Sequence, residues 1–436
     1  MENLSFDAGR LLIMALGGLA AALANRGAAV FNDGLRPVMP EFTEGRMDQK
    51  ALAATSFALC FGLVIGFGIP FSLTSTIVLI HSVLLGTDII GTWCPRKHWG
   101  TALAFLIGAG YGYGLLVGLG TVVEAFKKLP VDFLPSLGQV GAPIVAAFAV
   151  FPALAVGYQY GVGKGLSTLA LSVVVRQIVA IYGKIPMGDG GTIVLNPEGM
   201  SMLAGMIVLL VLAAREKPGA EETVSLVSLF ADRVKRIRGN IVLLAVMGGL
   251  VAAATSMKLL AGDPISLKLL GENRNIEAAL TALARGIGFV PLIVTTAITT
   301  GVYGPVGLTF VFVAGLLIAN PWLAFVAGLV TIAIEVFFLE FIARALDSFP
   351  GIRRCGDNIR TSMSKILEIA LIVGGVLAAQ AMAPGFGYFV VIGLYVLNQV
   401  ARRPLVNMAV GPVGAIATGL LLNVLYYLNL FVPPAK

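Results

Sequence analysis

Long apolar segments follow one another along this chain, and they restrict its fold more than any other feature. They recur from Leu11 to Val432, and many are close to the roughly 20 residues that a helix needs to cross a bilayer. Only 12% of the 436 residues are charged, whereas soluble domains carry roughly 25%. The pattern predicts an all-α integral membrane protein with about 10–14 transmembrane segments and no soluble domain.

About fourteen hydrophobic segments can be marked, several of them short or interrupted by glycine or proline, which is typical of broken or re-entrant helices. They lie near 10–31, 51–69, 71–90, 100–123, 138–160, 166–183, 199–214, 239–261, 278–300, 303–319, 322–343, 364–383, 386–400 and 405–431.

Basic residues concentrate in three connecting regions, near 25–50, 215–238 and 344–365. An even number of segments separates each pair of regions, so all three can lie on the cytoplasmic side, as the positive-inside rule requires. This orientation predicts a multi-pass protein of the bacterial inner membrane, with both termini in the periplasm.

Two sequence patterns recur at similar offsets and indicate an internal repeat. The residues around Gly17–Gly18 resemble those around Gly248–Gly249, and the Gly-Phe-Gly-Ile-Pro segment ending at Pro70 resembles Gly-Phe-Val-Pro ending at Pro291. Seven segments in each half give the halves opposite orientations, which is the plan of many secondary transporters. We expect a first membrane repeat over 1–218 and a second over 219–436, forming one integrated membrane domain.

The two Gly-Phe-Pro elements are the leading candidates for a substrate site. Proline interrupts a helix, and the freed backbone groups are tolerated in a membrane where they line a cavity or bury in protein. The hydroxyl and proline side chains at these breaks are candidate substrate contacts; they are Pro70, Thr74, Ser75, Thr76, Pro291, Thr295 and Thr296. The alternative is a packing kink whose hydroxyls bond to their own helix.

Ionisable residues inside the apolar segments form a second group of candidates, because a charge at mid-membrane costs roughly 2.5–3.5 kcal/mol. Arg176, with its neighbour Gln177, and Arg285 are candidate contacts for an anionic group. Asp88, Glu335 and Glu368 are candidate coupling carboxylates. Structural ion pairs, or side chains reaching towards an interface, are the alternative for each.

Two Asp-x-x-Arg motifs lie in the expected cytoplasmic loops: Asp33 with Arg36, and Asp357 with Arg360. A capped loop helix is the favoured explanation of this spacing. A cytoplasmic gate, or a docking surface for a cytoplasmic partner protein, is the functional alternative.

Motifs of soluble enzymes do not appear. The Gly161–Gly165 run lacks the spacing and the Ser/Thr of a phosphate-binding loop, and the Cys and His residues show no metal-binding spacing. We therefore expect no cofactor, no metal site, no nucleic-acid partner and no enzymatic activity.

Several long strings of residues resemble the YhfT family, from the first loop to the C-terminal segment. They cover 26–37 (RGAAVFNDGLRP), 129–138 (LPVDFLPSLG), 285–296 (RGIGFVPLIVTT), 357–360 (DNIR) and 418–426 (TGLLLNVLY). The resemblance implies a multi-pass inner-membrane carrier, often encoded beside enzymes of small-molecule metabolism. It supplies no site residues. A weaker resemblance, of architecture only, is to the membrane subunits of ascorbate- or galactitol-type phosphotransferase systems.

These features together predict a secondary transporter for a small polar metabolite, with an anionic one as the special case, working by alternating access, for which elevator motion is one option. The expected partners are the lipid bilayer, the small-molecule substrate and a second copy in a homodimer. A phosphotransferase-type permease with separate cytoplasmic partners is one alternative. A membrane-embedded enzyme is another, although the carboxylates and histidines that it would need are dispersed.

Overall fold

The structure is a computed structural model that describes residues 7–75, 77–186, 192–216, 226–347, 350–402, 404 and 407–433. Some side chains inside these ranges also lie outside the description, including those of Thr74, Ser75, Pro291 and Thr295. The described chain is almost entirely α-helical, with only two pairs of short strands. This confirms the all-α fold class.

The described residues of the first half form ten helices. They are α1 (Ala8–Arg26), α2 (Val38–Thr43), α3 (Gln49–Leu63), α4 (Ile69–Ser75), α5 (Ile80–Trp93), α6 (His98–Lys127), α7 (Leu134–Leu137), α8 (Gly141–Tyr160), α9 (Val162–Tyr182) and α10 (Pro197–Ala214). One π-helical turn, Val64–Gly68, joins α3 to α4, and a 3₁₀ turn, Gly138–Val140, joins α7 to α8. The strands are β1 (Val78–Leu79), β2 (Lys184–Pro186) and β3 (Thr192–Val194).

In the second half, the part that the structure describes contains nine helices and one strand. The helices are α11 (Leu226–Arg238), α12 (Ile241–Ser256), α13 (Pro264–Gly271), α14 (Asn275–Thr300), α15 (Phe310–Leu317), α16 (Pro321–Asp347), α17 (Pro350–Met382), α18 (Phe386–Val400) and α19 (Asn407–Tyr427). The strand is β4 (Leu260–Ala261).

Seven helices within the described ranges are long and apolar enough to cross a membrane, and up to 10 spans result if each bent helix pair is one span. The higher count reaches the lower end of the expected range. Several expected segments are shorter than a span or are divided. Helix α15 has only 8 residues, because the chain from 301 to 309 forms a loop where the sequence predicted the start of a segment near 303.

The same helix contacts occur in both halves. Helix α1 packs against α5 and α6, and α12 packs against α15 and α16. Glycines allow both close approaches: a Cβ on Gly17 would lie 2.5 Å from the carbonyl oxygen of Gly108, and a Cβ on Gly248 would lie 2.7 Å from that of Gly328. Small residues in these positions let two helix backbones touch inside a bilayer.

The remaining helices repeat a second arrangement. Helix α8 contacts α9 and α10, which also contact each other. Helix α17 contacts α18 and α19, and these two again pack together. Helices α8 and α17 pack directly against each other and so join the two halves.

Two short parallel backbone pairings also connect the halves. Strand β1 pairs with β4, with Val78 opposite Leu260. Ala29, just after α1, pairs in parallel with Tyr303, just after α14. In the first pairing, the segment after α12 meets the segment before α5. In the second, the segment after α1 meets the segment before α15.

The three basic regions meet at one end of the helix bundle. Arg233 pairs with Glu44 at 3.0 Å, Arg238 pairs with Glu340 at 3.1 Å, and Arg354 contacts Glu216. The first two ion pairs connect the segment after α2, helix α11 and the end of α16, and the third connects the end of α10 to the start of α17.

A second group of contacts at this end surrounds the last turn of α1. Arg236 donates to the carbonyl oxygen of Gly27 at 3.0 Å, and Arg96 donates to that of Asn25 at 2.7 Å. Burial and the charge of Arg236 lower the pKa of Arg96 to about 10. Both arginines lie at the C-terminal end of α1, where positive charge complements the negative end of the helix dipole. Their hydrogen bonds also connect this end of α1 to α11 and to the segment between α5 and α6.

Candidate functional site

A central cavity of about 520 Å³ lies between the two halves. Its walls come from both Gly-Phe-Pro regions: Leu63 and Phe67 line it from the first, and Phe289 and Leu292 from the second. Helix α17 adds part of the wall. This volume falls in the range of small-molecule sites, roughly 300–1,000 Å³.

Two loops bring polar groups to the cavity. We call residues 27–37 the first cradle loop and residues 301–309 the second cradle loop. Backbone hydrogen bonds join them: Val30 N–H donates to the carbonyl oxygen of Tyr303 at 3.0 Å, and Tyr303 N–H donates to that of Ala28 at 3.0 Å. The two loops therefore form one connected wall.

The first cradle loop is held by a buried carboxylate. Asp88 on α5 accepts hydrogen bonds from the backbone N–H groups of Phe31, at 3.1 Å, and Asn32, at 2.8 Å. Its side chain is buried and does not line the cavity. Asp88 therefore has a positioning role in this structure, because irregular backbone in a buried site needs partners for its N–H groups.

Arg36 closes the same loop on itself. Its Nε donates to the carbonyl oxygen of Val30 at 2.9 Å, and its Nη2 donates to that of Phe31 at 3.2 Å. Nη2 also lies 2.7 Å from Oδ1 of Asp33. Nη1 is buried without a hydrogen-bond partner, and both Arg36 and Asp33 line the cavity.

The second cradle loop is held by Glu335 on α16. Its Oε2 accepts from the backbone N–H of Leu308 at 2.8 Å and from the phenol of Tyr303 at 3.0 Å. Gly307 has φ +55, and a Cβ there would overlap the Glu335 carboxylate. Oε1 of Glu335 is buried without a hydrogen-bond partner.

Arg285 enters the cavity wall just before a bend in α14, where the parts Asn275–Ile287 and Leu292–Ile298 meet at 53°. Its Nη1 donates to the carbonyl oxygen of Gly262 at 2.6 Å and lies 3.4 Å from Oδ2 of Asp263. The side chain of Arg285 is only 5% exposed, and its Nε and Nη2 have no hydrogen-bond partner. Asp263 is also buried and caps α13.

His81 also lines the cavity. Its ring contacts Phe31 edge-on at 5.0 Å and Phe67 edge-on at 4.9 Å, measured between ring centroids. Its Nδ1 is buried without a hydrogen-bond partner. Thr309, which has φ +75, also lines the cavity with an unpartnered, buried hydroxyl.

Several predicted site residues at the breaks are not seen contacting the cavity. Pro70 is buried in α4, after the π-helical turn. Thr296 donates from its hydroxyl to the carbonyl oxygen of Leu292 in its own helix. Thr76, and the side chains of Thr74, Ser75, Pro291 and Thr295, lie outside the described residues.

Arg176 and Gln177 lie away from the cavity, so the structure does not bring them to the other candidates. Arg176 is 49% exposed and pairs with Glu198 at 2.8 Å. Both residues are on α9, most of whose residues are exposed because it packs chiefly against α8 and α10. The arrangement matches the structural ion pair that was the alternative for Arg176.

Glu368 is also separate from the cavity lining. It accepts a hydrogen bond of 2.8 Å from the amide of Asn407, whose carbonyl oxygen accepts from Gln399 at 2.9 Å. These contacts join α17 to the start of α19 and the end of α18.

The two Asp-x-x-Arg motifs have different surroundings. Asp33 and Arg36 lie in the cavity wall, where the sequence predicted a loop at the cytoplasmic surface. Asp357 is 84% exposed and lies 3.5 Å from Arg360, which lines the cavity from α17. Both arginines thus border the same space.

Four residues of this region were not singled out in the sequence: His81, Asp263, Tyr303 and Thr309. Asp263-Pro264 does carry a helix-start signal, but nothing in the sequence places it beside Arg285. His, Cys, Asp and Glu side chains form no group of three suited to a metal ion in the part of the chain that the structure describes.

Comparison with known proteins identifies the family. The family model of YhfT, described as a protein of unknown function, matches residues 10–431. The chain belongs to the YhfT family. It is 37% identical over 439 residues to the uncharacterized protein YhfT of Escherichia coli strain K12, covering 97% of this chain and 98% of that relative. No solved structure matches this member of the family.

Proposed function

We propose that this protein is a secondary transporter that moves a small polar metabolite, anionic in character, across the bacterial inner membrane by alternating access. One observation carries the proposal. A central cavity of about 520 Å³ is lined by two buried arginines that keep N–H groups without protein partners. Ionisable groups inside a membrane protein are costly and mark substrate or ion pathways.

An inverted repeat would explain how such a cavity opens to each side in turn. The recurring contacts of α1, α5 and α6 with those of α12, α15 and α16 support a repeat. An odd number of membrane crossings in each of 1–218 and 219–436 would give the two repeats opposite orientations. Rocking, or elevator motion, of one group of helices against the other would then expose the cavity alternately.

Glu335 is our candidate for the group that couples transport to an ion gradient. It has a buried oxygen without a partner, and its other oxygen holds the second cradle loop. Binding or loss of a proton at this carboxylate would change its bonds to Leu308 and Tyr303. These bonds shape the cavity wall, so a proton here would affect the substrate site.

Asp33, Arg36, Asp357 and Arg360 form the proposed cytoplasmic gate. Arg36 and Arg360 line the same cavity, each with an acidic neighbour three residues away. We propose that exchange of ion-pair partners between these motifs is the gating step, because each motif contributes an arginine to the cavity wall.

Reconstituted vesicles test the transport function directly. Purified protein in proteoliposomes would be supplied with a mixture of small polar metabolites under an imposed proton or sodium gradient, and the vesicle contents measured by mass spectrometry. We expect at least one metabolite to accumulate above its external concentration, and only in vesicles that contain the protein. If no metabolite accumulates under either gradient, the proposal is contradicted.

Two arginine variants provide the matched comparison. Arg285→Gln should abolish the accumulation, whereas Arg176→Gln, which breaks an ion pair outside the cavity, should leave most of it. Equal accumulation by both variants would remove Arg285 from the substrate site. Uptake that occurs only with cytoplasmic phosphocarrier proteins, and that delivers a phosphorylated product, would favour a phosphotransferase-type permease instead.

A further inference from the structure

One side of the Arg285 guanidinium makes polar contacts with the protein, and the other side has no hydrogen-bond partner. Nη1 is engaged by Gly262 and Asp263, at 2.6 and 3.4 Å. Nε and Nη2 have no partner. These two nitrogens form the side edge of the guanidinium, whose parallel N–H bonds match the two oxygens of a carboxylate.

The same edge binds a carboxylate elsewhere in this protein. Nε and Nη2 of Arg46 donate to the two oxygens of Glu41 at 2.7 and 2.8 Å. Arg46 achieves this at the surface, with 55% of its side chain exposed. In Arg285 the same edge has no hydrogen-bond partner although the side chain is only 5% exposed. A buried N–H group without a partner is unfavourable unless a ligand accepts its hydrogen bond.

The surroundings of this edge indicate what else the ligand contains. Cζ of Arg285 lies over the ring of Phe312, 5.3 Å from the ring centroid. Phe289 and Ile293 also line the cavity. Most of the cavity lining is apolar. A ligand with a charged head and an apolar body would satisfy both parts of the wall.

The acidic groups next to the two buried arginines favour a head group with a single negative charge at these arginines. Asp263 is beside Arg285, and Asp33 is beside Arg36, so each buried arginine already has an acidic neighbour. A phosphate dianion would meet more repulsion from these carboxylates than a monocarboxylate would. A carboxylate also has the planar shape that the guanidinium edge matches.

We infer that the central cavity binds a monocarboxylate with an apolar body, whose two oxygens accept hydrogen bonds from Nε and Nη2 of Arg285. The inference rests on the proposed function, since it names the substrate class of the same cavity. Arg36 Nη1 and His81 Nδ1 are the next unpartnered groups in the wall and would contact the ligand's remaining polar atoms.

Binding to the purified full-length protein in detergent tests this class. The probes are butyrate, hexanoate, benzoate and phenylacetate, each compared with its primary amide, together with butyl phosphate and phenyl phosphate. Binding is read by calorimetry and by the shift in melting temperature. We expect one or more carboxylates to bind, and their amides and the two phosphate esters to bind at least about tenfold more weakly.

Variants then locate the binding site. Arg285→Lys keeps the charge but loses the two-nitrogen edge, and should weaken carboxylate binding by about tenfold or more. Ile293→Trp leaves Arg285 in place, fills the cavity and should also abolish binding. Arg176→Gln should bind as the wild type does. Each variant is first checked for a single species on gel filtration and for a cooperative melt. If either Arg285→Lys or Ile293→Trp does not fold, the other variant still tests the inference.

Several results would overturn the inference. They are binding of amides as tight as that of their acids, binding of the phosphate esters alone, unchanged carboxylate binding in both Arg285→Lys and Ile293→Trp, and no binding by any of the four carboxylates. Carboxylate binding without uptake in vesicles would instead overturn the transport function and leave the ligand class intact. Gradient-driven uptake of other solutes without carboxylate binding would do the reverse.

Discussion

The carboxylate of Glu335 accepts a hydrogen bond of 3.0 Å from the phenol of Tyr303, and both side chains are buried. Through its backbone, Tyr303 is also bonded to Ala28 and Val30 of the first cradle loop. Glu335 is therefore connected to both loops of the cavity wall, which is the contact that a coupling carboxylate requires if its protonation is to alter substrate binding.

Replacing Glu335 by glutamine should separate gradient-driven uptake from exchange. Glutamine keeps an oxygen that can accept from Leu308 and Tyr303 but cannot bind and release a proton. We expect Glu335→Gln to lose accumulation driven by a proton gradient while retaining exchange of labelled for unlabelled substrate across the vesicle membrane. Glu368→Gln is the control. Wild-type accumulation by Glu335→Gln would rule out its coupling role.

Removing the carboxylate of Asp88 should destabilise the protein, because two buried backbone N–H groups of the first cradle loop lose their acceptor. Hydrogen bonds to charged acceptors contribute about 1.5–3 kcal/mol each, so we expect Asp88→Ala to lower the free energy of unfolding by at least about 3 kcal/mol. Asp357→Ala removes a carboxylate that is 84% exposed. This variant should change the free energy of unfolding by less than about 0.5 kcal/mol. Unfolding in detergent, followed by circular dichroism, gives both values, and equal losses would contradict the assigned role.

Adding a methyl group at the α1–α6 contact should also destabilise the protein. A Cβ on Gly17 would lie 2.5 Å from a backbone oxygen of α6, so the two helices would have to separate. We expect Gly17→Ala to cost about 1–3 kcal/mol, and Gly248→Ala, at the corresponding α12–α16 contact, to cost a similar amount.

Gly110→Ala is the matched control for these substitutions. It lies in α6, and a Cβ there would meet nothing within 4 Å. Alanine favours helix formation over glycine by about 1 kcal/mol, so this variant should be as stable as the wild type or slightly more stable. A melting temperature for Gly17→Ala at or above that of Gly110→Ala would mean that the helices are not in close contact.

Cysteine labelling can determine on which side of the membrane the loops lie. The three native cysteines, Cys60, Cys94 and Cys355, are buried and should give little background. We expect a membrane-impermeant thiol reagent to label Lys184→Cys and Glu272→Cys in intact cells. Lys50→Cys and Asp357→Cys, on the basic side of the bundle, should be labelled only after permeabilisation.

The opposite labelling pattern would reverse the proposed orientation. Labelling of Lys50→Cys and Asp357→Cys on different sides would contradict the common side expected for the basic regions. The ion pairs Arg233–Glu44 and Arg354–Glu216 make that second outcome unexpected, because they connect these regions in the structure.

The apolar segments and their scarcity of charge were enough to predict a multi-pass all-α membrane protein. A backbone in a bilayer must satisfy its own hydrogen bonds, so long apolar stretches leave helices as the solution. The bend in α14 was foreseen for the same local reason, since Gly-Phe-Val-Pro ends at Pro291, and proline cannot donate to the helix.

Arg176 and Arg285 show what the sequence alone could not predict. Both are arginines within apolar segments, and the sequence treats them alike. The fold puts Arg176 on a peripheral helix with Glu198 and buries Arg285 beside Gly262 and Asp263. Local composition sets the energetic cost of each charge, but the partner that offsets it comes from distant packing.

The sequence by itself thus determined the helical membrane fold, the interruption of α14 and the list of charges that need partners. Only the tertiary structure decided that residues 27–37 and 301–309 meet, that Asp88 and Glu335 hold these loops, and that His81 and Arg285 border one cavity. The physical reason is that hydrophobicity and proline act within a segment. A binding site depends on which segments pack together. The apolar surfaces of different helices resemble one another, so the sequence does not show which of them will be neighbours.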